Sequence, residues 1–280
     1  MSKLLRADFR RLWKNKLFYL GSIAVMVEVA HVLINNVYYM STMEDLIVPI
    51  DNLLFMGTLV IGYAVAIVTC LLVGTEYSDG TMRNKTVVGH GRCSIYFSHF
   101  LTTTFAALFM MVVGSAFIIA IGLPIMGGFE SSIKILLPQV LCCLLSIVAL
   151  NAMVLMFAML IPSKTISVIV CLLLVIVLSM VLPTMIWAKL DAEPMIPEMS
   201  FMDSDGIMHI IPETPNPEYV TGTKRNILQL CFDMLPTNQM YQYGYDELPK
   251  NIGLFPLYSL IFIGIFSTAG VCIYKRRDLK

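Results

Sequence analysis

Charge is scarce in this chain. Of its 280 residues only 14% are Asp, Glu, Lys or Arg, and 58% are hydrophobic, with a mean hydropathy of +0.78. Soluble domains carry about 25% charged residues. A globule of this size has too much surface to hide so many apolar side chains, whereas a bilayer solvates them from outside. Phosphate-loop chemistry is missing too. There is no GxxxxGK[ST] and no Gly-Lys dipeptide, so the chain cannot cradle nucleotide phosphates by that route. HExxH, CxxC and zinc-like Cys/His spacings are also absent. The seven cysteines form no disulfide framework, because Cys70, Cys142, Cys143, Cys171 and Cys272 lie in apolar stretches, Cys93 in a basic loop and only Cys231 in a long polar segment. These absences leave no candidate catalytic, metal-binding or cofactor-binding residue, and nothing points to a nucleic-acid partner.

What is present is apolar length. Six runs reach the roughly 18 residues of a membrane helix: Leu17–Tyr38, Asn52–Thr75, Ile95–Gly122, Ile135–Ile161, Thr165–Trp187 and Ile252–Tyr274. The fold class expected is an all-α integral membrane protein, with residues 1–280 as one transmembrane domain. Placing the N-terminus inside puts fourteen Lys and Arg on cytoplasmic segments and five outside, so the positive-inside rule puts both termini in the cytoplasm. A cleaved signal peptide is the rival reading of Leu17–Val27. It fails because a cut after Ala30 would set Glu28 where a small residue belongs. Residues 1–16 have the pattern of an amphipathic interfacial helix, with Leu5, Phe9, Leu12 and Trp13 on one face and Lys3, Arg6, Arg10 and Lys14 on the other; the alternative is a merely basic flank that fixes topology. Such a helix has membrane lipid as a partner.

Between the second and third runs, residues 76–94 form a polar loop. Thr81–Val88 supplies about two helical turns, capped by Ser78 or Asp79 and stopped by Gly89-His90-Gly91, and Ser94 can cap the next span. A short helix held there by two spans is suited to pushing on a soluble partner. A purely structural alternative pairs Glu76 with Arg83 at the membrane edge while Gly80 turns the chain.

EYSDGTMRNK (Glu76–Lys85), placed after the second of six spans, resembles the first intracellular loop of ABC-2-type permeases, the membrane subunits of bacterial ATP-binding-cassette exporters. The family pattern is Glu, three residues, Gly-Thr, a hydrophobic residue and Arg; here these are Glu76, Gly80, Thr81, Met82 and Arg83. The resemblance extends to the N-terminal helix, the Ile161-Pro162-Ser163-Lys164 turn, the long segment before the last span and Leu235-Pro236-Thr237-Asn238-Gln239. It implies a coupling helix at Asp79–Val88, with Glu76, Asp79, Gly80, Thr81, Met82, Arg83 and Lys85 as ATPase-coupling residues. It also implies a separate ABC ATP-binding subunit carrying ATP and Mg, a second permease copy or related permease, and a multi-pass location in the bacterial plasma membrane. Substrates in such a family include peptide antibiotics, lipids, polysaccharides and drugs; the expectation here is peptide or antimicrobial export or self-protection.

The segment 189–250 is expected outside. Asp203-Ser204-Asp205-Gly206, between Met199–Met202 and Ile207–Ile211, reads as a hairpin turn, since a calcium loop would need a downstream acid that is missing. Thr223 can cap a helix whose Ile227, Leu230, Cys231, Met234 and Leu235 share a face, and in the family such helices re-enter the outer leaflet. Within the spans, Glu28 and His31 lie one turn apart. A mid-span charge costs about 2.5–3.5 kcal/mol on insertion scales and needs protein or water around it. Two readings stand: Glu28 and His31 line a substrate pathway or subunit interface, or they pair and are structural. Gln139 and Asn151 are weaker candidates for the same pathway or interface. An ion-driven carrier would call for internal repeats and interrupted helices, and an intramembrane enzyme for convergent catalytic groups; the sequence displays neither.

Overall fold

The computed structural model describes residues 2–43, 48–202, 208–243 and 249–276. Six helices are long and apolar enough to cross a membrane, and the chain is a helical, multi-pass membrane protein. α1 (Ser2–Lys14) precedes the first of them, α2 (Lys16–Thr42). Asn15 separates the two in extended conformation, and its Oδ1 accepts the Leu17 N–H at 2.8 Å. α3 (Ile50–Ser78), α4 (Thr81–Val87), α5 (Arg92–Met126) and α6 (Ile133–Leu160) follow. α7 (Lys164–Ile176), a π-turn (Val177–Val181) and α8 (Leu182–Leu190) together make the fifth crossing. A segment of short strands and helices leads to α11 (Phe255–Arg276), the sixth.

α3 and α6 are the inner helices. Their most apolar stretches are 64% and 67% buried within the bundle, against 22% for the fifth and sixth crossings. α3 packs against α2, α5, α6 and α7, and α6 against α11. Close approach depends on small residues: a Cβ on Gly74 would stand 2.9 Å from the Lys164 Cα where α3 crosses the start of α7. At that start Ser163 accepts the Ile166 N–H. The π-turn is an interruption that the apolar run Thr165–Trp187 does not reveal. Leu182 donates to the Val177 carbonyl, which leaves the Leu178 carbonyl free to accept from Thr237 Oγ1 at 2.7 Å.

The segment after α8 is not wholly helical. β1 (Met195–Ile196) pairs with β4 (Thr214–Pro215), and β2 (Met199–Met202) pairs antiparallel with β3 (Met208–Ile211). The expected turn, Asp203–Gly206, lies outside the described residues. α9 (Gly222–Met234) starts directly after Thr221, whose side chain makes no capping bond, so Thr223 lies inside the helix and is not its cap; the buried residues are Phe232 and Asp233. Ile227, Leu230 and Cys231, expected to share a face, are all exposed. Apolar periodicity marks lipid as readily as protein in a membrane chain. α10 (Pro236–Gln242) is buried along nearly its whole length.

Candidate functional site

The connection between α3 and α4 is set by one residue. Gly80 adopts φ +67°, a left-handed conformation costly for residues with a Cβ, and α4 begins directly after it. The expected caps are therefore corrected. Ser78 is the last residue of α3 and bonds the Gly74 carbonyl, Asp79 closes α3, and neither caps α4. At the far end Gly91, not Ser94, precedes α5.

α4 turns Met82 and Lys85 inward, one turn apart, and leaves Arg83, Val87 and Val88 exposed. Met82 is 1% exposed and its sulfur receives the Tyr274 hydroxyl of α11 at 3.8 Å. Lys85 reaches a cluster of side chains from four helices. Its Nζ lies 2.7 Å from Asp8 Oδ1 of α1, 2.7 Å from Glu76 Oε2 of α3 and 3.3 Å from His99 Nε2 of α5. An ammonium has three donors, and with His99 in its Nδ1–H tautomer all three are used. Glu76 Oε1 accepts from Arg11 at 2.7 Å, and the same guanidinium donates to Thr81 Oγ1 at 2.9 Å. Ser98 donates to the remaining oxygen of Asp8. Two carboxylates thus face two cations, with Asp8, Glu76, Lys85 and His99 all buried.

Glu76 does not pair with Arg83, so that structural alternative is corrected. Arg83 and Asp79 are exposed. The α1 face that meets the bundle is Leu4, Asp8 and Leu12; of the apolar face expected to lie in the membrane interface, Leu12 is buried, Leu5 and Phe9 are half-buried and Trp13 is exposed. Trp13 lies at the edge, its ring within 6 Å of Phe18, Phe105 and Phe109. Sequence reasoning named Glu76 and Lys85 but missed Asp8, Arg11, Ser98 and His99. One signal was available: Asp8 is the sole acid among six basic residues in 1–16.

The four pathway or interface candidates do not converge. α2 buries Phe18, Ser22, Val25, Val29 and Leu33, so Glu28 and His31 face away from the bundle. Their side chains are 50% and 63% exposed and stand 3.8 Å apart, with Asn35 Nδ2 2.9 Å from His31 Nε2. Glu28 is half-exposed within a single chain, and its ion-pair partner among the described residues is His31. Gln139 and Asn151 are buried on α6. Asn151 donates to Thr103 and Thr104 of α5 and accepts from Thr69 of α3, all at 3.0–3.1 Å, which binds three helices together.

A second polar cluster surrounds Asp233 at the far end of the bundle. Its Oδ1 accepts from Gln229 and Gln242, and its Oδ2 from Asn251. Gln239 donates to the Asp233 carbonyl and accepts from Ser146 of α6 and Ser259 of α11. The Leu235–Gln239 motif is therefore a buried brace. Among the described residues no group of three or more His, Cys, Asp or Glu is arranged to hold a metal ion. No family model matches the chain, and no curated protein matches it significantly.

Proposed function

We propose that this chain is the permease subunit of an ATP-driven exporter of ABC-2 type, in which α4 is the cytoplasmic coupling helix that seats in a separate ATP-binding subunit. The observation that carries the reading is the way α4 is mounted. It lies between the second and third crossings, anchored inward by Met82 and by Lys85 in the four-helix ionic cluster, with Arg83, Val87 and Val88 free for a partner. Val87 and Val88 are 77% and 76% exposed, and apolar side chains so placed at the tip of a loop suit a protein contact. Force applied to α4 would reach α1, α3 and α5 together.

On this reading both termini are cytoplasmic, the α9–α10 region is extracellular, and the protein resides in a bacterial plasma membrane. The exposed Glu28–His31–Asn35 stripe supports pairing with a second permease, because charge in a span is tolerated when protein or water covers it. Peptide or antimicrobial export remains the proposed role.

The reading requires a soluble ATPase encoded beside it, and the test is co-expression of the two. The wild-type pair should form a stable complex that hydrolyses ATP. Arg83→Glu with Val87→Asp should leave the six crossings inserted, since insertion energy resides in the apolar runs, while weakening association about tenfold or more. Undiminished assembly and transport by this variant would place the docking surface elsewhere, and transport without any ATPase would end the reading.

A further inference from the structure

A cavity of about 610 Å³ opens beneath α1, walled by α1, the Asn15 turn, α3 and α5. Its wall includes Arg10, Arg11, Lys14 and Lys16. Three carboxylates also line it, but they do not cancel these cations. Asp8 is held by Lys85, and Glu76 by Lys85 and Arg11. That leaves Asp79 as the free acid against Arg10, Lys14 and Lys16, none of which makes an ion pair among the described residues.

Arg10, Lys14 and Lys16 border one cavity from two helices. Arg10 and Lys14 are one turn apart on α1 and so share a face. Lys16 opens α2, a helix of 27 residues whose positive end therefore borders the cavity. Thr75 and Thr102 line the opposite wall. Depth is marked by Trp13, 44% exposed and packed edge-on against Phe18, Phe105 and Phe109, because tryptophan favours the headgroup region.

We infer that this cavity binds the phosphate ester of an anionic phospholipid headgroup, clasped by Arg10, Lys14 and Lys16. The inference rests on the reading of α1 as lying on the cytoplasmic membrane face. A zwitterionic headgroup would bring a compensating cation against the same three charges, so the site selects net negative charge. A lipid held there would bind α1, and with it Asp8 and Arg11 of the ionic cluster, to the membrane.

Trp13 can report occupancy directly. The chain has two tryptophans, and Trp187→Phe leaves Trp13 as the single reporter. The purified permease, without any ATPase, is titrated in micelles with phosphatidylglycerol or phosphatidylcholine carrying brominated acyl chains, and quenching is followed. The anionic phosphatidylglycerol should quench at lower mole fraction. Replacing Arg10, Lys14 and Lys16 with Gln should weaken that preference by about fivefold for each cation. Ala7 also lines the cavity, and Ala7→Phe, which fills space without changing charge, should abolish the preference as well. Lys3→Gln with Arg6→Gln, off the cavity, should largely retain it. Equal loss in the Lys3/Arg6 variant, or none with Ala7→Phe, would mean a diffuse basic surface and overturn the site. Displacement of the lipid by inorganic phosphate alone would reassign the cavity to soluble phosphates. Because no ATPase is involved, the result stands apart from the test of α4 docking.

Discussion

Around Lys85 the helices α1, α3 and α4 meet through opposite charges, with Ser98 and His99 of α5 bonded to them, whereas around Asp233 the neighbouring elements meet through amides and hydroxyls. The elements braced also differ. α4 has seven residues and buries two of them, Met82 and Lys85; α10 also has seven and buries six. Helices this short are not stable alone in water, so each depends on its anchorage. α10 is wedged among α3, α6, α9 and the π-turn and leaves only Tyr241 half-buried. α4 is fixed along one edge and keeps the other free. An element that transmits force to a partner needs the second arrangement, and one that seals the end of a bundle needs the first. The bonding matches. Charges on α1, α3 and α4 hold α1 and α4 to the bundle at one point, while directional amide bonds fix the Asp233 region in one geometry.

The largest effect should come from breaking the ionic cluster at its centre. Lys85→Met leaves Asp8 with Ser98 alone and Glu76 with Arg11 and His99. Stripping one partner from a buried ion pair costs about 3–5 kcal/mol, which should appear as a marked drop in the unfolding temperature of the detergent-solubilised protein. Asp8→Asn with Lys85→Met should cost less than the two single losses added, since the groups act as a unit. A loss for Lys85→Met within the roughly 1 kcal/mol of an exposed pair would show that the cluster is not structural.

A smaller loss is expected at the other end. Asp233→Leu deprives the amides of Gln229, Gln242 and Asn251 of their acceptor, and orphaned buried donors cost about 1–3 kcal/mol. Asp233→Asn should fall below that, because one oxygen remains to accept. If Asp233→Leu proves more damaging than Lys85→Met in the same thermal assay, the contrast drawn between the two clusters is reversed.

The six crossings were legible because bilayer thickness fixes their length, and apolar runs of that length are rare otherwise. Their ends were less so: α5 starts at Arg92 rather than Ile95 and continues through Pro124 to Met126, since helix does not stop where hydrophobicity does. The π-turn escaped because a proline such as Pro183 is tolerated in membrane helices. Of the ionic cluster, Glu76 and Lys85 stood out through a local motif. Asp8, Arg11, Ser98 and His99 did not, because their contacts join residues 65 to 90 positions apart or require the packing of α5 to be known. Which way a face turns was not legible. Ile227 and Leu230 point outward, and Glu28 lies on the exposed side of α2. In a lipid setting the usual inference from polarity to burial weakens in both directions.

The smallest perturbation sharpens the comparison most, because it decides which cluster faces which side of the membrane. Cys93 lies in the first turn of α5, six residues before His99, and Cys231 lies two residues before Asp233. Each thiol therefore marks one cluster. Cys231 and Cys272 are exposed and Cys93 is partly so, while the other four are buried. Cys272→Ser gives a background in which two thiols can react. A membrane-impermeant maleimide applied to sealed cells should label Cys231 and spare Cys93, and opening the membrane should add Cys93 without loss of Cys231. Cys231→Ser should then abolish labelling of intact cells. These substitutions touch neither network, so stability should change little, within about 0.5 kcal/mol. Labelling of Cys93 from outside would invert the orientation drawn from the basic residues. It would put α4 on the face where no cytoplasmic ATPase could reach it.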